Sequence, residues 1–286
     1  MLSAARRDRV SGASAIALAC AMRLRRLFES GVRIPERDIV EFALGLPEAQ
    51  PNMAPLWNLA NDVLLSKRSA DEIVSVCRRA EEHHAGASRA VGRRAARELK
   101  GRTVVTNSAS AAVLEALVSA NEKGPLTALV PESRPMREGL RMAAELARRG
   151  VRVTLLADPS LSRAVRLADV AIVGSDAVTG SHVVGKVGIV NLALSCREYG
   201  IRCLVCADTS KLFPVALREE QRPPQEVLRK IPEGVVIDNV YFEEARVALF
   251  SKIVTEVGSL SPKEVAGMVR KKRIAPELMR SISSPL

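Results

Sequence analysis

The chain has 286 residues, 47% hydrophobic and only 3% aromatic, with 43 Lys and Arg against 32 Asp and Glu for a formal charge of +11. Length and apolar content predict one or two folded domains with a real core and argue against large-scale disorder. No run approaches the ~20 uninterrupted apolar residues of a membrane helix. The positive charge invites a nucleic-acid reading, but it is spread as +5 over residues 1–100, +3 over 101–200 and +3 over 201–286. Phosphate-backbone binding favours cations gathered on one face, so no direct sequence-specific nucleic-acid contact is expected.

Residues 1–100 read as helices. ASAIALACAMRLRRLFESG, RDIVEFALGL, MAPLWNLANDVLLS and the long stretch from SADEIVSV to ARELKG repeat apolar residues at three and four, and Ser69 with Glu72 forms a capping box at the head of the last. Arg6, Arg7 and Arg9 before GASAIALACAM have the outline of an export signal. Ser11, Gly12 and Ser14 weaken that run, however, and Arg23, Arg25 and Arg26 follow at once, so a cytoplasmic protein is expected. The five cysteines, Cys20, Cys77, Cys196, Cys203 and Cys206, agree: an odd set at irregular spacing does not suit a secreted disulfide scaffold.

Beyond Gly101 the period changes. TVVTN, LTALVPES, VRVTLLAD, VAIVGSD and IRCLVCAD are short, nearly continuous apolar runs separated by helical stretches such as ASAAVLEALVSANEKG and MREGLRMAAELARRG. Such runs predict strands buried on both faces, and strand-helix alternation predicts a parallel sheet. The expected fold class is α/β: a helical amino-terminal domain over 1–100, then an open parallel-sheet α/β domain over 101–286.

Ligands collect at the carboxyl ends of strands in such sheets. There stand Asn107, Ser108 and Ser110, then Glu132, Ser133 and Arg134, then Asp158, Asp176, Asp208 and Lys211. Ser108 and Ser110, at a strand-to-helix junction, can hold a phosphate with the first helical N–H groups. Arg134 before Pro135 offers a guanidinium fork to the same anion. Lys186, read as opening the helix KVGIVNLALSCREYG, and Lys211 add two ammonium groups. Asp176 ends a predicted central strand and is either an acid or base with a raised pKa or a simple turn cap. Cys203 and Cys206 form CxxC, but residues three apart in a strand face opposite ways, which makes them ordinary buried thiols. His83 and His84 are adjacent on a helix with no His or Cys at ligand spacing, so no metal site is expected. His182 is placed in a loop near Asp176. The absence of GxGxxG, GxxxxGK[ST] and GxSxG removes the common dinucleotide, P-loop and hydrolase readings.

The segments TVVTNSASAAV, VPESRPMREGLRMAAELARRGVRVTLLAD, DVAIVGSDAVTG, GKVGIVNLALSCREYGIRCLVCADTSKLFP, NVYFEE and VTEVGSLSP resemble the translation initiation factor 2B alpha/beta/delta family, which also contains ribose 1,5-bisphosphate isomerase and methylthioribose 1-phosphate isomerase. The likeness is strongest over 103–214 and loose in the helical part. It implies a helical domain on a Rossmann-like domain that dimerises, with a phosphosugar or nucleotide pocket between them and no cofactor. In the isomerase branches a Cys and an Asp are held to move the protons. The Asp matches Asp176, whereas the Cys position falls on Ser108. Family ligands are further replaced by Ser11, Gln50 and Gly185, while Arg134, Asp176, Lys186 and Lys211 are retained; with Ser110 and Gly12, the cations Arg134, Lys186 and Lys211 are the expected ligand-binding positions. The resemblance therefore implies a non-catalytic regulatory or exchange-factor subunit, a homodimer or higher oligomer that meets initiation factor 2 or a paralogous subunit and binds a phosphorylated small molecule. The alternative is an aldose-ketose isomerase acting on ribose 1,5-bisphosphate or a related sugar 1-phosphate.

Overall fold

The computed structural model describes residues 2–215 and 218–283. Its amino-terminal region is helical: α1 (Leu2–Arg7), α2 (Ala13–Glu29), α3 (Glu36–Ala49), α4 (Ala54–Leu65) and α5 (Ala70–Ala95). Ser69 caps α5 by accepting from the Glu72 N–H, one half of the expected capping box; the reciprocal bond from the Ser69 N–H to the Glu72 side chain is not formed among the described residues. There follow β1 (Thr103–Val105), α6 (Ala111–Asn121), β2 (Thr127–Pro131), α7 (Glu138–Arg148), β3 (Arg152–Leu156), α8 (Leu161–Leu167) and β4 (Val170–Gly174). The chain continues through β5 (Ala177–Val178), β6 (His182–Lys186), α9 (Ile189–Glu198), β7 (Arg202–Cys206), β8 (Phe242–Arg246), β9 (Lys252–Val254) and β10 (Ser259–Leu260) to α10 (Pro262–Arg270) and α11 (Pro276–Ser283).

Seven strands form one Rossmann-like sheet in the order β10-β9-β7-β4-β1-β2-β3, parallel except for β10. Its strands bury alternate residues on opposite faces. Val105, Ala171, Val173, Cys203 and Val205 join the core beneath α8, α9 and α10. Val104, Val170, Ile172, Leu204 and Cys206 join the core beneath α6, α7 and the end of α5. Cys203 and Cys206 thus lie on different faces, the outcome that two-residue strand periodicity demands of CxxC.

Two features differ from the sequence expectation. The run at β3 is an edge strand, with Arg152, Thr154 and Leu155 exposed, because among the described residues no strand lies beyond it. A second, antiparallel sheet of β5, β6 and β8 stands beside the first, and it contains both His182 and Lys186. Lys186 therefore ends a strand rather than opening a helix. The N-terminus of α9 is capped internally, since Glu243 on β8 accepts from the Gly188 and Val190 N–H groups at 2.7 and 2.9 Å.

A third core lies among the helices and draws in Phe213, Val215, Ala275 and Leu278 from the far end of the chain. Trp57, 1% exposed, lies 5.9 Å from the Phe213 ring and donates to the Pro51 carbonyl. Asn58 donates to the Ser210 carbonyl. The short turn Thr209–Lys211 after β7 is thereby fixed against α4.

Candidate ligand-binding site

β1 and β4 are neighbours from which the sheet is wound in opposite directions, and at such a switch point their carboxyl ends leave a crevice. A cavity of about 590 Å³ opens there, walled by Ser108 and Ser110 after β1, Asp176 after β4, Gly12 at the head of α2, and Lys186 and Lys211. These are six of the seven positions singled out from sequence.

Arg134 is the exception, since it does not line the cavity. Its guanidinium donates to the Val227 carbonyl at 2.6 Å. The Ser133 and Arg134 N–H groups each donate to the Asp158 carboxylate at 2.7 Å, and the Ser133 hydroxyl donates to the Asn107 carbonyl. The ESRP segment thus braces the loop behind Ser108, while α7 sends Glu138 and Arg141 into the wall instead. The i, i+3 spacing of those two residues was a usable signal. Arg222, which also lines the cavity, comes from the segment before β8 and had no such signal.

Lys186 is 9% exposed, and its Nζ lies 3.3 Å from Glu138 Oε1 and 4.7 Å from the centre of the Tyr241 ring. That enclosed ammonium has no hydrogen-bond partner of suitable geometry among the described residues. Lys211, 8% exposed, stands on the turn fixed by Asn58 and Trp57. The Asn107 side chain donates to the Lys186 carbonyl at 3.0 Å, which ties the loop after β1 to the end of β6. Gly12 caps α2 without a side chain, so the first N–H groups of that helix meet the cavity uncovered. Ser110 is half engaged, its hydroxyl accepting from Val113 N–H as the cap of α6.

Asp176 is half-buried. Its N–H donates to the Val184 carbonyl and its carbonyl accepts from Ala54. Burial raises its carboxyl pKa above the ordinary value, with Lys211 and Lys186 pulling part of the way back. A carboxyl raised by folding is stabilising when protonated, below its unfolded pKa, and loses that contribution as pH rises through its folded pKa. Asp176→Asn should therefore melt above the parent at neutral pH, with the difference shrinking as the pH falls through the carboxylate range. Thermal melts across that range measure it.

His182 faces away from this chemistry: it begins β6, bonds Ser181 through Nδ1 at 2.9 Å and is not in the cavity wall. His84 does line the wall. Burial pushes its imidazole pKa down to about 4, so the ring is neutral. Its neighbour His83 contacts Asp208 Oδ1 through Nε2 at 3.2 Å, and that hydrogen bond raises its pKa. Burial pushes Asp208 upward, but His83, Lys211 and Ser210 outweigh it and hold the carboxyl well below the usual range. The sequence showed no third ligand for the His pair, yet the fold supplies one: ligand atoms of His83, His84 and Asp208 all lie within 4.8 Å of one another.

The sequence pattern of the Initiation factor 2 subunit family matches residues 9–262. The chain belongs to that family. Its relatives carry two kinds of name. A Pyrococcus furiosus protein described as translation initiation factor eIF-2B subunit 2-like is 32% identical over 236 residues, covering 79% of this chain and 82% of that protein. The ribose 1,5-bisphosphate isomerase of Archaeoglobus fulgidus is 29% identical over 284 residues, covering 93% and 90%. In structure, the Pyrococcus horikoshii translation initiation factor eIF-2B superposes with a TM-score of 0.76 at 29% identity, covering 92% of this chain and 96% of that one. Family members therefore share this fold and divide between initiation-factor subunits and sugar-phosphate isomerases.

Proposed function

We propose that the protein is a non-catalytic, initiation factor 2B-like regulatory or exchange-factor subunit that binds a phosphorylated sugar or nucleotide in the cavity. Two enclosed lysines and the bare head of α2 suit a phosphate, and the Asp176 carboxyl on the same cavity wall suits a sugar hydroxyl. The observation that carries the non-catalytic reading is Ser108. It lines the cavity at the position where the isomerase branch is held to carry a thiol, and among the described residues no carboxylate or imidazole hydrogen-bonds to it. A thiol, with a pKa of about 8.5, exchanges protons near neutrality, whereas a serine hydroxyl needs an adjacent base. Gln50, another altered position, spends its amide on the Ala5 and Asp8 carbonyls at 2.9 Å and so braces the chain before α2. The protein is read as assembling into a dimer or larger oligomer, with initiation factor 2 or a paralogous subunit as partner.

The isomerase reading rests on Asp176, a carboxyl with a raised pKa and no side-chain hydrogen bond among the described residues, on the wall of this cavity. In that reading it is the proton donor and acceptor between C1 and C2 of ribose 1,5-bisphosphate. The two readings separate in one screen. Sugar phosphates and nucleotides at 100 times Kd should add about 2.7 kcal/mol of stability, seen as a raised melting temperature, with no ketose formed. Ketose production that disappears in Asp176→Asn would establish the isomerase.

A further inference from the structure

We propose that His83, His84 and Asp208 form a binding site for a divalent transition-metal cation of the zinc type at the wall of the cavity. The donor set is two imidazoles and one carboxylate, the borderline chemistry that zinc, cobalt and nickel select and that magnesium and calcium do not. The three ligand atoms converge within 4.8 Å of one another, from the middle of α5 and from the end of β7. Around zinc, with bonds of roughly 2.0–2.1 Å, tetrahedral ligand atoms stand about 3.3 Å apart. The His83 Nε2 to Asp208 Oδ1 separation, 3.2 Å, already has that length, and the separations to His84, within 4.8 Å, close toward it when an ion binds.

The surroundings resemble the outer shell of a metal site. Asp208, 2% exposed, has its carboxylate oriented by the hydroxyls of Ser14, on α2, and Ser210. The other nitrogen of His83, Nδ1, faces Glu256 Oε1 at 3.9 Å, and Glu256 is itself held by the Thr209 N–H and hydroxyl. A ligating carboxylate held by hydroxyls is a support that metal ligands usually carry, whereas Glu256, at 3.9 Å, stands beyond hydrogen-bond reach of His83 and contributes its charge alone. Asp208 and Glu256 supply two negative charges against the two nearby ammonium groups of Lys211 and Lys272, so an added cation finds a balanced setting. His84 is the feature that an Asp-His contact alone leaves unexplained: its Nδ1 is enclosed and has no hydrogen-bond partner among the described residues. Because His84 lines the cavity, a cation held here ties α5 to the turn after β7 and presents its remaining coordination positions to whatever occupies the cavity. The site stands independently of the ligand proposed above.

Protein freed of metal with a chelator and titrated with Co²⁺ alone should take up one ion per chain and develop a visible d–d absorption band. Zn²⁺ should abolish that band by displacement. His84→Ala and His83→Gln should each weaken uptake by more than about 100-fold, beyond the 10- to 100-fold that loss of an outer-shell partner costs, while circular dichroism confirms that the fold persists. An absent band in the parent, or uptake unchanged in both variants, would overturn the proposal.

Discussion

Lys186→Met should weaken binding of a sugar phosphate by roughly 10- to 150-fold, the factor that corresponds to losing a charge-assisted hydrogen bond of about 1.5–3 kcal/mol. The reason lies in how the side chain is held. Its ammonium is enclosed between Glu138 and the face of Tyr241, and the Tyr241 hydroxyl donates to Glu226 at 2.6 Å, which fixes the ring. A positive charge confined in this way meets an anion with little ordering cost. Its removal also leaves the Glu138 carboxylate in the wall, where it repels phosphate. Lys186→Met with Glu138→Gln should therefore recover part of the loss. Lys230→Met, on an exposed loop outside the cavity, should leave affinity unchanged. Titration calorimetry on the four proteins reads all of these effects.

Gly139→Ala should destabilise the protein by at least about 3 kcal/mol, although alanine ordinarily improves a helix by about 0.8–1 kcal/mol over glycine. Gly139 lies in the first turn of α7, and a Cβ there would stand 1.7 Å from the Pro131 carbonyl oxygen and 2.9 Å from its carbon. Both neighbours are backbone, so nothing flexible can yield. Relief requires moving the end of β2 or the Glu132–Arg137 segment, and with it the Asp158 clamp and the Asn107 loop behind Ser108. Gly86 in α5 is the control, since a Cβ at that position meets nothing within 4 Å. Gly86→Ala should stabilise by up to about 1 kcal/mol. Opposite signs for the same substitution in two helices, read by denaturant unfolding, would show that close approach, not propensity, requires Gly139.

The sequence discloses what depends on near neighbours. Doubly buried strands appear as unbroken apolar runs, the Ser69 cap as a four-residue signature, and the divergence of Cys203 and Cys206 as a matter of parity. The carboxyl-end rule alone gathers Ser108, Ser110, Asp176 and Lys211. What escaped depends on pairing over long separations. β6 finds β8 across 55 intervening residues, so local pattern assigns Lys186 to a helix and gives no sign of the second sheet. Arg134 before Pro135 has the sequence context of an anion ligand, yet it spends its guanidinium on a carbonyl 93 residues away. His83 meets Asp208 across a sequence separation of 125, beyond any motif spacing. Local pattern located the cavity, whereas tertiary pairing decided which side chains enter it.

Phosphorus NMR of ribose 1,5-bisphosphate mixed with the purified protein separates binding from turnover. The resonances should shift or broaden as the cavity fills and still belong to unchanged ribose 1,5-bisphosphate after prolonged incubation. Ketose bisphosphate resonances that are absent with Asp176→Asn would show instead that the protein is an isomerase.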